Sequence, residues 1–300
     1  MKIYIAGSSS FIGSNLIPYL KSNNNYLLDT TNYRTNHNQI DLNKFDVIVN
    51  LIGKAHYKSN KSDYDDYFKI NYLITKELFD KFIISNTKTF IHISSIKAVK
   101  DYTNKILTED DLPEPTTNYG LTKLLAEQYI LTNTPPGKRV FILRPTMVHG
   151  KNNKGNFNLM YKYIKKTYFW PLGSNNIKKS YCSVENLNFV IKELIENKNI
   201  SSDVFNVCDD EPLTLNEVLK IFSKTLNLRI LFLSIPSFVI NPLLYSLNYF
   251  HLFSLYDIIK KLYTNYIVSN KKIVTKMNKK LPVNAIDGLA TTFNSFKYIE

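Results

Sequence analysis

Over the first two thirds of the chain, short apolar runs alternate with stretches of helical periodicity. The runs predict strands over 2–6, 26–28 (ending at Asp29), 45–51, 89–93, 140–143 and 204–207. The periodic stretches predict helices over 15–21, 66–85, 119–131, 183–196 and 214–226. The run 45–51 is apolar enough to be buried on both faces, as in a parallel sheet. Strand and helix in regular alternation predict an α/β fold of βαβ units wound on both sides of a parallel sheet. After Gly150 the rhythm breaks, and residues 151–180, rich in Lys, Asn and Gly, predict a loop with one helix inside. The expected organisation is a sheet-forming domain over 1–150 and a smaller C-terminal region over 151–300, partly interleaved with the sheet.

One segment departs from this pattern. Residues 230–256 carry no charged side chain across 27 positions. A membrane span needs about 20 apolar residues, but Pro236, Asn241, Pro242, Asn248 and His251 interrupt this one. The expectation is a pair of short helices broken near Pro242, either buried or forming an exposed apolar patch. Such a patch could rest on a membrane, helped by Lys260, Lys261, Lys271 and Lys272.

Composition narrows the class further. With 44% hydrophobic and 21% charged residues, the chain is of ordinary globular character. Cys182 and Cys208 cannot build a disulfide framework, and the N-terminal apolar run is too short for a signal peptide, so a cytoplasmic protein is expected. The net charge of +13 comes mostly from scattered lysines, with only Arg34, Arg139, Arg144 and Arg229 as arginines. Nucleic-acid surfaces favour the arginine fork, so no nucleic-acid partner is expected. A field drawing in an anionic substrate fits the charge as well.

Three local patterns carry chemistry. Gly7-Ser8-Ser9-Ser10-Phe11-Ile12-Gly13 follows a strand and opens a helix. Gly7 permits the tight turn and Gly13 close helix–strand packing, while N–H groups at the helix start can hold a pyrophosphate. Ser10 replaces the usual middle glycine; its Cβ crowds a phosphate, though its hydroxyl could donate to one. Asp29, 16 positions after Gly13, can accept from adenosine ribose hydroxyls, favouring NAD; Arg34 could instead meet the 2′-phosphate of NADP. Asp41-Leu42 could meet the adenine or form a simple loop. Tyr119 and Lys123 stand at i, i+4, on one face of a helix. An ammonium beside a phenol stabilises phenolate, making Tyr119 a candidate acid/base and Lys123 its partner and a ribose ligand. Ser95 follows the fourth strand, at the sheet edge where such folds bind ligands, and could hold the reacting oxygen. No metal is expected.

Taken in order, these motifs resemble the extended short-chain dehydrogenase/reductase family, the NAD-dependent nucleotide-sugar epimerases, dehydratases and reductases with a Rossmann fold. Leu51-Ile52-Gly53 resembles the family's third-strand end, which lines the cofactor, and Asn71 matches an Asn in the helix that follows. Arg144-Pro145 through Gly150 resembles the fifth-strand motif, with His149 in place of Tyr and Pro145 beside the cofactor. Ser94 to Lys97, Gly155-Asn156-Phe157 and 171–174 are similar to a branch that includes UDP-N-acetylquinovosamine dehydrogenase and 4-epimerase-like proteins. The resemblance covers roughly 1–220 and fades beyond. It implies hydride transfer at C4 of a UDP-(N-acetyl)hexose in surface polysaccharide synthesis. Ser95, Tyr119 and Lys123 would be catalytic, with Ser95, Lys97, Asn156 and Lys179 toward the substrate. The branch favours a 4-keto reductase; a 4-epimerase with tightly held NAD and a non-catalytic NAD(P)-binding regulator stay open. Many relatives are dimers, so a homodimer is an expectation of the same kind.

Overall fold

The structure is a computed structural model that describes the chain apart from residues 23–24, 37–38, 56–62, 154, 174–175, 235–236, 250–251, 253–255, 257–258, 261 and 299–300. Five strands, β1 (Lys2–Ala6), β2 (Leu27–Asp29), β3 (Val47–Asn50), β4 (Thr89–Ile93) and β5 (Arg139–Pro145), lie in one sheet with a sixth, Asp203–Val207. The order runs 203–207, β5, β4, β3, β1, β2, and every pair is parallel.

Residues alternate between the two faces of each strand. Ile3, Ile5, Val47, Val49, Ile91 and Ile93 face helices Phe11–Lys21 and Val184–Glu196. Tyr4, Ala6, Ile48, Phe90, Val140 and Ile142 face Leu78, Phe79 and Phe82 of helix Ile74–Ile84. Both faces are covered, which is why the strand sequences are continuously apolar. The chain leaves β1 for β2 on one side and returns to β3 on the other. That reversal opens a crevice at the C-terminal ends of β1 and β3, where open α/β sheets bind ligands.

A second core joins helices Asn156–Thr167, Leu215–Leu226 and Ala285–Ser295 through Phe157, Ile164, Phe222 and Phe293. Of the strands between the first two of these helices, Asp203–Val207 belongs to the main sheet.

Two expected elements differ. The single expected helix over 66–85 is helical from Asp63, but Phe68–Leu73 is a π-helical segment between α-helical ends. The break expected near Pro242 is absent. Residues Leu231–Ser234 form a strand paired in parallel with Phe169–Gly173, and one helix, Ser237–Tyr249, runs through Pro242. Proline forfeits one ladder bond. Burial of Ile240 and Leu247 on one side of this helix offsets that loss. Pro236 and His251 lie outside the described residues.

Candidate active site

The turn after β1 is built on two glycines that no other residue replaces. Gly7 has φ +88°, and a Cβ there would lie 2.8 Å from the Leu51 carbonyl carbon. A Cβ on Gly13 would lie 2.5 Å from the Ser8 carbonyl oxygen. β1 and β3 are thereby drawn together, with Leu51 N–H donating to Ala6 O at 2.8 Å. Ser10 caps the helix, its Oγ accepting from Gly13 N at 3.0 Å. The serine therefore occupies one N–H that a middle glycine would leave for a phosphate, while its own O–H remains a donor. Phe11 and Ile12 form the first turn of the helix, the end that carries the favourable dipole for an anion.

Asp29 sits at the end of β2, where its Oδ1 accepts from Thr31 N at 2.8 Å and Thr31 Oγ1 at 2.7 Å. Ser8 Oγ donates to Thr30 O at 3.1 Å, so this turn abuts the glycine loop. Arg34 is exposed in the short helix Tyr33–Asn36.

Asp41 and Leu42 are not brought to the crevice. They lie before β3, at the opposite edge of the sheet, where Asn86 N donates to Asn43 Oδ1 at 2.9 Å and Thr87 Oγ1 donates to Leu42 O. Asp41 caps the turn Leu42–Lys44 through Asn43 N and Nδ2, and those bonds hold its carboxyl below the usual range.

Ser95, Tyr119 and Lys123 do converge. Ser95 is buried just past β4, near enough to Tyr119 for its hydroxyl to draw the phenol's pKa down. Tyr119 lies in the first turn of helix Asn118–Asn133, capped by Thr117. A Cβ on Gly120 would lie 2.3 Å from Lys97 O, so only glycine lets this helix press against the turn that carries Ser95. Lys123 is 3% exposed, and its Nζ donates to Ile93 O at 2.8 Å. Gly53 faces it: a Cβ there would lie 3.0 Å from Lys123 Nζ. The small residue after β3 thus makes room for the lysine.

The electrostatics differ from the sequence expectation. Burial raises the Tyr119 phenol, only partly opposed by the Ser95 hydroxyl, so Tyr119 is a neutral proton donor here. Lys123 is the group pulled toward neutrality: burial pushes it down to about 8, with Glu127 acting the other way. Desolvation exceeds the pairwise effect when both groups sit in the protein interior. His92, beneath them on β4, is kept neutral by burial and by the nearby Lys123 charge.

A testable consequence concerns pH. Lys123 keeps its proton below about pH 8 and loses it above, far earlier than an ordinary lysine. If the ammonium positions Tyr119 and the cofactor ribose, kcat falls as pH rises through this region. A rate profile that stays flat across that range would remove Lys123's charge from the chemistry.

Asn71 is buried in the π-helical segment and acts as a clamp. Its Oδ1 accepts from Lys54 N at 2.7 Å, and its Nδ2 donates to Thr122 Oγ1 at 3.1 Å. It ties the chain after β3 to the helix that bears Tyr119. Pro145 ends β5 at the same edge of the sheet. Ile52 N donates to Asn50 Oδ1 at 3.0 Å, fixing the strand end.

The residues expected toward the substrate are more dispersed. Lys97 Nζ donates to Asp101 O at 2.6 Å and lies 4.6 Å from the Tyr266 ring centre. Lys179 is half-buried; burial and the Lys97 charge push it down to about 8. Two basic side chains thus stand near each other. Asn156 opens helix Asn156–Thr167 and is exposed. His149 is buried between Asp209 Oδ2 at 3.2 Å and Thr292 Oγ1 at 2.9 Å, a packing role.

Sequence reasoning missed the group beneath Lys123. Glu127 is one turn further along the same helix face, and Arg144 on β5 binds it through Nε at 3.0 Å and Nη2 at 2.6 Å. Ser94 Oγ donates to the same carboxylate. The spacing 119, 123, 127 was the available signal.

The family model for the NAD dependent epimerase/dehydratase family matches residues 3–208. The chain belongs to that family. It is 28% identical over 243 residues to UDP-glucose 4-epimerase from Vibrio cholerae, spanning 73% of this chain and 74% of that one. It is 26% identical over 195 residues to N-acetyl-α-D-glucosaminyl-diphospho-ditrans,octacis-undecaprenol 4-epimerase from Escherichia coli, 64% of this chain and 58% of that one. The fold is similar to that of UDP-glucuronic acid 4-epimerase from Bacillus cereus in complex with NAD, with a TM-score of 0.77, 20% identity, and 100% and 99% of the two chains covered.

Proposed function

We propose that the chain is an NAD-dependent 4-epimerase of a UDP-(N-acetyl)hexose, working in the cytoplasm on precursors of a surface polysaccharide. The observation that carries this reading is the convergence of Ser95, Tyr119 and buried Lys123 just past β4, at the same end of the sheet as the glycine turn after β1.

The residues fit a dinucleotide. Gly7 and Gly13 let the turn after β1 close tightly against the backbone of Leu51 and Ser8, which sets the N–H groups of the helix start at Ser10–Gly13 toward a phosphate, and Asp29 stands at the end of β2 for ribose hydroxyls. When bound, the nicotinamide ring accepts or returns a hydride. The chain's own residues handle the proton. Tyr119 Oη, once it has given up its own proton beside Lys123, takes the proton of the sugar O4 as the C4–H hydride leaves and returns it when the 4-keto sugar is re-reduced on its other face. Ser95 Oγ holds O4 against Tyr119. Lys123, with its charge on the same side, favours the moment when the phenol has lost its proton. Lys179 and Lys97 supply positive charge toward the diphosphate.

A 4-keto reductase is the second reading, favoured by the neutral state of Tyr119, which suits a proton donor. Nucleotide released on denaturing the purified protein separates the two. Near-stoichiometric NAD with interconversion of UDP-glucose and UDP-galactose, or their N-acetyl forms, supports the epimerase. Release of no nucleotide, with consumption of NADH or NADPH against a UDP-4-keto-6-deoxy sugar, supports the reductase. Neither activity from folded protein would defeat both.

A further inference from the structure

The charge of the chain is unevenly placed in a way that hydride transfer does not require. Of its 25 acidic residues, none falls between Gln128 and Val184, and none between Val218 and Tyr256. The fold brings these two stretches together. Strand Phe169–Gly173 pairs with Leu231–Ser234, and Tyr161 of helix Asn156–Thr167 packs 6.2 Å from Phe222 of helix Leu215–Leu226. Their exposed charges among the described residues, Lys162, Lys165, Lys166, Lys220, Lys224 and Arg229 among them, are all positive.

Apolar side chains point outward from the same segments. Leu231 and Leu233 share one face of their strand and are 66% and 52% exposed, while Phe232 between them turns inward to the core. Leu231 N donates to Tyr168 O at 3.0 Å, which puts exposed Tyr168 at the end of the same ribbon. Helix Ser237–Tyr249 follows. It buries Ile240 and Leu247, yet Tyr245 and Tyr249 are 75% and 69% exposed, and no charge occurs anywhere on it. A surface helix of a water-soluble protein normally carries charged residues on its outer face.

We propose that this face rests on an anionic lipid bilayer, with the ribbon and helix Ser237–Tyr249 in the interfacial zone and the basic residues against lipid headgroups. Among the described residues no helix is long and apolar enough to cross a membrane, so the contact is with one leaflet. Charge selects a bilayer over a second copy of the chain. A two-fold contact sets the same patch against itself and would crowd these cations together without a carboxylate on either segment. An anionic leaflet neutralises them and solvates the leucines and tyrosines at the same time.

The test is co-sedimentation of the full-length protein with vesicles of phosphatidylcholine alone or enriched in phosphatidylglycerol. Binding should be roughly tenfold stronger to the anionic vesicles and weaken with salt. L231E/L233E should lose it, and K162Q/K165Q/K166Q should lose the preference for phosphatidylglycerol. Both variants alter exposed residues away from Tyr119, so turnover of a water-soluble nucleotide sugar should be unchanged, which keeps this test separate from that of the enzymatic reading. Wild-type protein that stays in the supernatant with both vesicle types overturns the proposal. So does a solution dimer that L231E/L233E splits while vesicle binding is absent.

Discussion

Replacing Tyr119 with Phe is expected to lower kcat by roughly a hundred- to ten-thousandfold, the span that a positioned general acid–base contributes. The ring would keep its place. Tyr67 lies 6.1 Å from it, centre to centre, and the backbone is fixed by the Thr117 cap and by the contact of Gly120 with Lys97 O. What disappears is the one hydroxyl that both meets Ser95 and can exchange a proton with a sugar oxygen. Because burial already holds the phenol in its neutral form, its removal should not open an unpaired charge, and the variant should fold. Nucleotide binding is expected to persist, since the glycine turn and Asp29 are remote from the change. The measurement is single-turnover hydride transfer alongside nucleotide content. A Y119F protein with near-normal turnover would mean that the proton travels by another path. Loss of both turnover and nucleotide would mean that Tyr119 shapes the pocket rather than the chemistry.

Much of this site was legible because its parts are local. The glycine turn is a seven-residue pattern between a strand and a helix, and the geometry at Gly7 and Gly13 follows from close backbone approach. Tyr119 and Lys123 needed only helical periodicity, and Ser95 only its position after β4. What stayed hidden depends on long-range placement. Asp41-Leu42 fits an adenine contact by its sequence surroundings, yet hydrogen bonds from Asn86 and Thr87 hold this turn at the far edge of the sheet. The strand at 231–234 could not be anticipated from an uncharged run, since its partner lies in a segment read as loop. Pro242 argued locally for a break that burial of its neighbours overrides. The direction of the Tyr119 shift was misjudged for a related reason: pair spacing along a helix is visible in a sequence, whereas the depth of both groups in the protein is not.

Depth also governs the second large effect, which falls on stability. Arg144→Met is expected to destabilise the protein by about 3–5 kcal/mol, because it strands a buried carboxylate. Glu127 is 1% exposed and Arg144 5%, and the guanidinium meets both carboxylate oxygens. With Arg144 gone, Glu127 would retain only the Ser94 hydroxyl and the more distant Lys123 ammonium. The double variant R144M/E127L should recover most of that loss, since replacing a buried pair by apolar groups of similar size is often neutral or better. Denaturant midpoints at an unchanged m-value provide the measurement. The pair also reaches the chemistry. Glu127 acts to raise Lys123, so the double variant should move the alkaline fall in kcat to lower pH, even where its stability is restored. A stable double variant with an unmoved pH limb would confine the pair to holding the helix against β5. A single R144M variant as stable as wild type would show that water, rather than arginine, satisfies Glu127.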